Sequence, residues 1–236
     1  MKTPFYILFI LILFCSCKKE KEQVSTTIAI AISHMVDDQP LQYNTFNYTN
    51  AAGNSYEVTS LRYYLSNFVF HNSDGSQYAD TGIYYIDANN ASTTAIQMAE
   101  VPTGNYNGVS FKLGLTPAQN ISNSLPNLAV NNNMSWPDQM GGGYHFLKFE
   151  GHFNNNSGQT DGFAIHLGTD VSLVNIDIDQ LFEAKDQTTT LNLSMNLNEW
   201  FANPSTLDLD SLSYTMGNAS GMSLVATNGS DVFTIE

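Results

Sequence analysis

The sequence predicts an all-β fold, an antiparallel β-sandwich or a related barrel with long loops and few short helical turns. Three observations point there. Apolar residues recur with period two along several stretches, the spacing of a half-buried strand. Asn, Gly, Ser and Thr fill the gaps, as in Asn131-Asn132-Asn133 and Asn154-Asn155-Asn156, which is turn chemistry. Together they give about eight strands joined by long polar connections, a sandwich or barrel pattern.

The elements follow in order. Residues 1–16 read as a lipoprotein signal peptide. Lys2 gives a basic start, and Phe5 to Phe14 is an unbroken apolar run, too short for a bilayer span but right for a signal h-region. Cys15-Ser16-Cys17 then resembles a bacterial lipobox, with Cys17 the lipidated residue. An ordinary signal peptide cleaved nearby, or an uncleaved anchor, is the competing reading. Cys17 is also the last cysteine in the chain. Cleavage before it leaves no pair for a disulfide and no free thiolate for a metal. Residues 17–25 form a charged tether of about 30 Å at full extension, and residues 26–236 a single β domain.

Within that domain, Thr26 to Val36 places Ile28, Ile30, Ile32 and His34 on one face. Further strands are expected over Leu61–Phe70, Gly82–Asp87, Gly108–Leu113, Tyr144–Phe153, Gly162–Leu167, Thr188–Asn198 and Val232–Ile235. Asp74-Gly75 is a hairpin signal after the Leu61–Phe70 strand. Short helical turns are expected at Asp177–Ala184 and Asn198–Ala202. The long stretch from Pro117 to Gly143 lacks a regular pattern, as functional loops do.

Charge narrows the function. Beyond residue 22 there are twenty acidic residues and only four cations, Arg62, Lys112, Lys148 and Lys185, a net −16. That field opposes nucleic acid and anionic lipid and mildly favours cations; it equally suits a plain soluble surface. There is no zinc-hydrolase spacing, no phosphate-binding glycine loop and no activated-nucleophile motif. Asp208-Leu209-Asp210 and Asp177-Ile178-Asp179 lack the glycine and acidic spacing of a calcium loop and read as solvent-facing strand or turn positions. No general base accompanies the histidines, so the chain reads as a binding protein and not an enzyme.

The chemistry concentrates in Met134 to Gly151, MSWPDQMGGGYHFLKFEG, and in FAIHLG at 163–168. Thioether sulfur, imidazole and an oxidisable indole suit copper better than calcium or magnesium. Met134 and Met140 flank Trp136 as thioether ligands or as gap-fillers in a plug. His34, at a strand end, can reach a loop-borne ligand set or be a satisfied core-edge residue. His166 shares its face with Ala164 and Gly168, whose small size leaves room for a ligand or for tight packing. Alternation puts His145 with Leu147 and Phe149, and His152 on the opposite face with Phe146 and Lys148; only a bulge would bring these two histidines to one side. Without a metal, the rival reading is a surface β-sandwich binding a protein or glycan partner through Tyr63, Tyr64, Tyr84 and Tyr85.

Four segments carry a resemblance. HMVDDQPL (34–41), YEVTSLRYYLSNFVF (56–70), MSWPDQMGGGYHFLKFEG and FAIHLG occur in the order found in the MbnP family of bacterial copper-binding proteins, and the chain also resembles lipoproteins of Bacteroidetes type. The resemblance implies a secreted β-rich protein binding one copper ion. It further implies that Trp136 is oxidised to kynurenine with the help of a di-haem peroxidase-like partner. His34 and His166, with His145 in second place, are then the histidine ligands. Where many relatives carry a second tryptophan, this chain has Asp138. The expected protein is a copper-binding lipoprotein of the cell envelope, held at the outer membrane, that captures or passes on copper.

Overall fold

The computed structural model describes residues 24–185 and 187–236. Residues 1–16, expected to be a signal peptide, Cys17 and most of the expected tether lie outside the described residues. Twelve strands are present among the described residues. They are β1 (Ser25–Val36), β2 (Gln39–Pro40), β3 (Tyr48–Thr49), β4 (Ser55–Asn72), β5 (Gln77–Asp87), β6 (Ala95–Pro102) and β7 (Gly104–Leu113). There follow β8 (His145–Asn154), β9 (Thr160–Gly168), β10 (Val174–Ala184), β11 (Thr189–Asn196) and β12 (Phe233–Ile235). Two short α-helices, α1 (Ala129–Asn133) and α2 (Ala219–Asn228), sit among the late connections.

These strands form two layers. A five-stranded sheet has the order β12-β11-β1-β2, with β6 paired to β1 on the edge opposite β11, alongside β2. A seven-stranded sheet has the order β10-β7-β4-β8-β9, with β3 and β5 also paired to β4. The long β4 holds the second sheet together. Its first half pairs with β8, its second half with β7, and β5 returns along it through the Asp74-Gly75 turn. Most pairings are antiparallel as expected, but β1 and β11 run parallel. Residues far apart in the chain can form such a pair because β2 to β10 intervene as the crossover.

Aromatic rings fill the space between the layers. Phe233 of β12 packs edge-on against Tyr63 at 6.3 Å and Phe111 at 5.4 Å, joining the two sheets. At one end Phe201 sits within 5.3 to 6.2 Å of Tyr56, Phe149 and Phe163. Phe201 ends the 3-10 turn Leu197–Phe201, close to the helical turn expected at Asn198–Ala202. The other expected turn, Asp177–Ala184, is instead the second half of β10, paired with β7. Asp177 and Asp179 point outward there while Ile176 is buried, so the acid–apolar alternation was a strand signal.

His34 belongs to this core. It follows Ile28, Ile30 and Ile32 on the inner face of β1, and its Nε2 lies 2.8 Å from the Tyr63 hydroxyl. Burial pushes its pKa from the ordinary 6.5 down to about 4, since desolvation disfavours the charged ring.

Two predictions follow from this packing. A methyl group at Gly151 would overlap the Glu57 carbonyl oxygen and the Phe163 ring. Gly151→Ala should therefore cost about 1–3 kcal/mol in urea unfolding, and an unchanged midpoint would refute that close approach. His34 holds a proton less readily in the folded chain than in the unfolded one, so its contribution to stability is present above pH 6.5 and is lost as pH falls from 6.5 towards 4. Stability measured across that window should fall less steeply in His34→Gln than in the parent; equal slopes would contradict the buried neutral ring.

Candidate functional site

The site lies on the outer face of the β8–β9 pair. Strand register fixes which side chains share that face. Tyr63, Leu147 and Leu167 are partners across β4, β8 and β9, and they face the core. Arg62, Lys148 and His166 are partners in the next row and face away from it. His166 is therefore on the side of the sheet opposite to His34.

His145 reaches the outer face through a bulge. The β8–β9 register shifts between His145 and Leu147, so that His145 pairs with Gly168 while Leu147 pairs with Leu167. One extra residue in β8 moves everything before it to the other face. Strict alternation had placed His145 with Leu147 and Phe149; the bulge places it with His166. The rings of His145 and His166 meet edge-on with centroids 5.0 Å apart. His152, which points outward further along β8, instead contacts Glu57 through its Nδ1 at 2.8 Å.

Trp136 covers this pair. Its indole meets His145 at 4.7 Å, and it presses on Gly168, where any side chain would collide with the ring. The loop that delivers it is closed by hydrogen bonds. Trp136 N–H donates to the Gly143 carbonyl at 2.9 Å, and His145 N–H to the Met134 carbonyl at 2.6 Å. The turn between them runs through Gly141, Gly142 and Gly143, all at positive φ, which a residue with a side chain resists. Trp136 Nε1 donates to the Met140 carbonyl at 3.1 Å. The indole is almost wholly buried, as is the Met134 side chain.

The two imidazoles have assignable tautomers. His166 Nε2 lies 2.7 Å from Glu150 Oε1, and that hydrogen bond is the leading cause holding Glu150 below the usual carboxylate range, with help from Lys148 at 3.6 Å. An ionised carboxylate accepts, so His166 Nε2 carries a proton, and Nδ1 is the nitrogen left for a further partner. That Nδ1 is buried and has no hydrogen-bond partner. His145 Nδ1 lies 3.1 Å from the Met134 carbonyl, which assigns the proton to Nδ1 and the lone pair to Nε2. Burial, then the neighbouring His166, pushes the pKa of His145 down to about 4. His145 Nε2 and His166 Nδ1 are thus the ring nitrogens not engaged by the protein, the atoms through which an imidazole ligates metal.

The structure brings together Trp136, His145 and His166 and adds Glu150, which sequence reasoning had not singled out. Its only signal in sequence was its place two residues from Lys148 on the outer face of a strand. His34 is left out of the cluster. Among the described residues no group of three or more His, Cys, Asp and Glu side chains gathers in metal-binding geometry. The donors present fit a nitrogen-loving metal as a pair of imidazoles, with the indole as the third neighbour. The tyrosine patch of the rival reading does not form: Tyr63 and Tyr64 are buried, and Tyr84 and Tyr85 are half-buried against the core.

The family model described as MbnP matches residues 25–218. MbnP from Methylosinus trichosporium has a similar solved structure, with TM-score 0.63 and 15% sequence identity over 89% of this chain and 98% of that one. At that identity the likeness speaks for the fold. Among curated proteins no significant match was found. Since the family model spans most of the described residues on a matching architecture, this chain belongs to the MbnP family.

Proposed function

We propose that this protein binds one copper ion on the outer face of β8–β9, through His166 Nδ1 and His145 Nε2 beside Trp136. The observation that carries the reading is the buried, unpartnered Nδ1 of His166. A buried polar atom without a partner costs about 1–3 kcal/mol, and a bound metal ion would remove that cost. Glu150 is the outer partner that fixes the ring, as carboxylates do behind metal-binding histidines. Imidazole nitrogen suits copper, and His145, kept neutral by burial, has no proton for the metal to displace from Nε2 at neutral pH.

Two imidazoles leave the coordination short. With two equivalents of hydrogen peroxide as oxidant and a di-haem peroxidase-like partner as catalyst, the Trp136 C2–C3 bond would be cleaved to give formylkynurenine, with water as by-product. Hydrolytic loss of C2 as formate would then leave kynurenine and free an aniline nitrogen next to His145. That supplies a third nitrogen where the chain has no other candidate among the described residues. In this reading the protein is a lipoprotein of the cell envelope, anchored through Cys17 at the outer membrane, that captures or passes on copper without turnover. The chain's net −16 beyond residue 22 would raise the local concentration of cations.

Copper content and intact mass of residues 23–236, recovered from the native host, test this. Stoichiometric copper is expected in the parent and none in His166→Ala or His145→Ala. Glu150→Gln should weaken copper binding by roughly 10–100-fold with the fold retained. A mass increment matching kynurenine, localised to Trp136, would support the modification. Copper absent even after incubation with Cu(I) and Cu(II) would sink the proposal and leave a metal-free binding module.

A further inference from the structure

Four of the eight methionines, Met134, Met140, Met216 and Met222, lie on the two segments that enclose Trp136. The other four are Met1 and three in or near the five-stranded sheet, Met35, Met98 and Met195. Met140 and Met222 line one cavity of about 320 Å³, together with Trp136, Val171 and Gly217. The two methionines come from different elements: Met140 from the turn after Trp136, Met222 from the first turn of α2. Met140 reaches towards the opposite wall, its Cε 3.1 Å from where a side chain on Gly217 would begin. Among the described residues no carboxylate, imidazole or thiol lines this cavity.

We propose that this cavity is a second, soft-metal site, in which Met140 and Met222 hold Cu(I) through their thioether sulfurs beside the Trp136 indole. Thioethers select Cu(I) among the biological copper states and give hard cations nothing to bind. An indole face adds attraction for a cation. Position gives the site a role. Val171 at its rim is 73% exposed, and the adjoining Met216 is 36% exposed, so the cavity meets solvent. Its inner wall, Trp136, is the group that covers His145. The cavity therefore stands between solvent and the histidine pair, as an entry or exit station for the ion. The proposal rests on the copper reading above for the identity of the cargo, and not for the ligands.

The test uses the full chain with ¹³C-labelled methionine ε-methyl groups, titrated with Ag(I) as a redox-inert substitute for Cu(I). The Met140 and Met222 signals should shift together, and should still do so when His145 and His166 are both changed to alanine. Met140→Leu with Met222→Leu, a volume-conserving change that should preserve the fold, should weaken Ag(I) binding about tenfold or more. Signals that stay still at excess Ag(I), or that move only while the histidines are present, overturn the proposal. Copper retained by the histidine pair with silent methionines would end this inference alone. Shifting methionines in a chain that never holds copper at the histidines would end only the earlier reading.

Discussion

Everything at this site depends on the pairing of β8 with β9 and on the bulge that interrupts it. From Leu147 onward the two strands alternate strictly. One face carries Leu147, Phe149, Ile165 and Leu167 into the core. The other carries Lys148, Glu150 and His166 outward. The core face sets the register, because a slip of one residue would expose every large side chain in it. Register, in turn, holds Glu150 against His166. The bulge then adds what a regular ladder could not, a second histidine on the same face one row beyond the first.

Much of the fold was legible in period two. Ile28, Ile30 and Ile32 mark β1, and Leu191, Leu193 and Met195 mark β11; a half-buried strand leaves no other trace. The mixed strand β10 was misread in its acidic half because Asp177-Ile178-Asp179 is too short for the period to declare itself. Strand β6 and helix α2 went unseen for a similar reason. Only Ile96, Met98 and Val101 of β6 are buried, and α2 is rich in Gly, Ser and Thr with a weakly sided surface. The parallel pairing of β1 with β11 is a long-range choice that no local pattern encodes.

The site was half legible. Trp136 and His166 could be singled out by residue type and by the small neighbours Ala164 and Gly168. The face of His145 could not, since a bulge is invisible to alternation and shows only when two strands are laid side by side. His34 lies apart from that cluster. Its residue type suggested a ligand, but its parity with Ile28, Ile30 and Ile32 already tied it to the core, and there Tyr63 takes its nitrogen. Parity within a strand outranks residue type when the two conflict, because packing decides the face before chemistry can act.

The charge of the chain and the chemistry of the site do different work. A strongly acidic surface draws cations without distinguishing among them. The carboxylate that contacts the histidine pair, Glu150, is already engaged by His166 and Lys148, so it offers a hard cation little. What remains open to a metal is nitrogen on one side of Trp136 and thioether sulfur on the other. In the copper reading proposed above, selectivity would come from donor type alone, which separates copper from the far more abundant calcium and magnesium. An acidic exterior around a carboxylate-poor interior is the arrangement in which a scarce soft metal can be gathered by charge and still sorted by ligand.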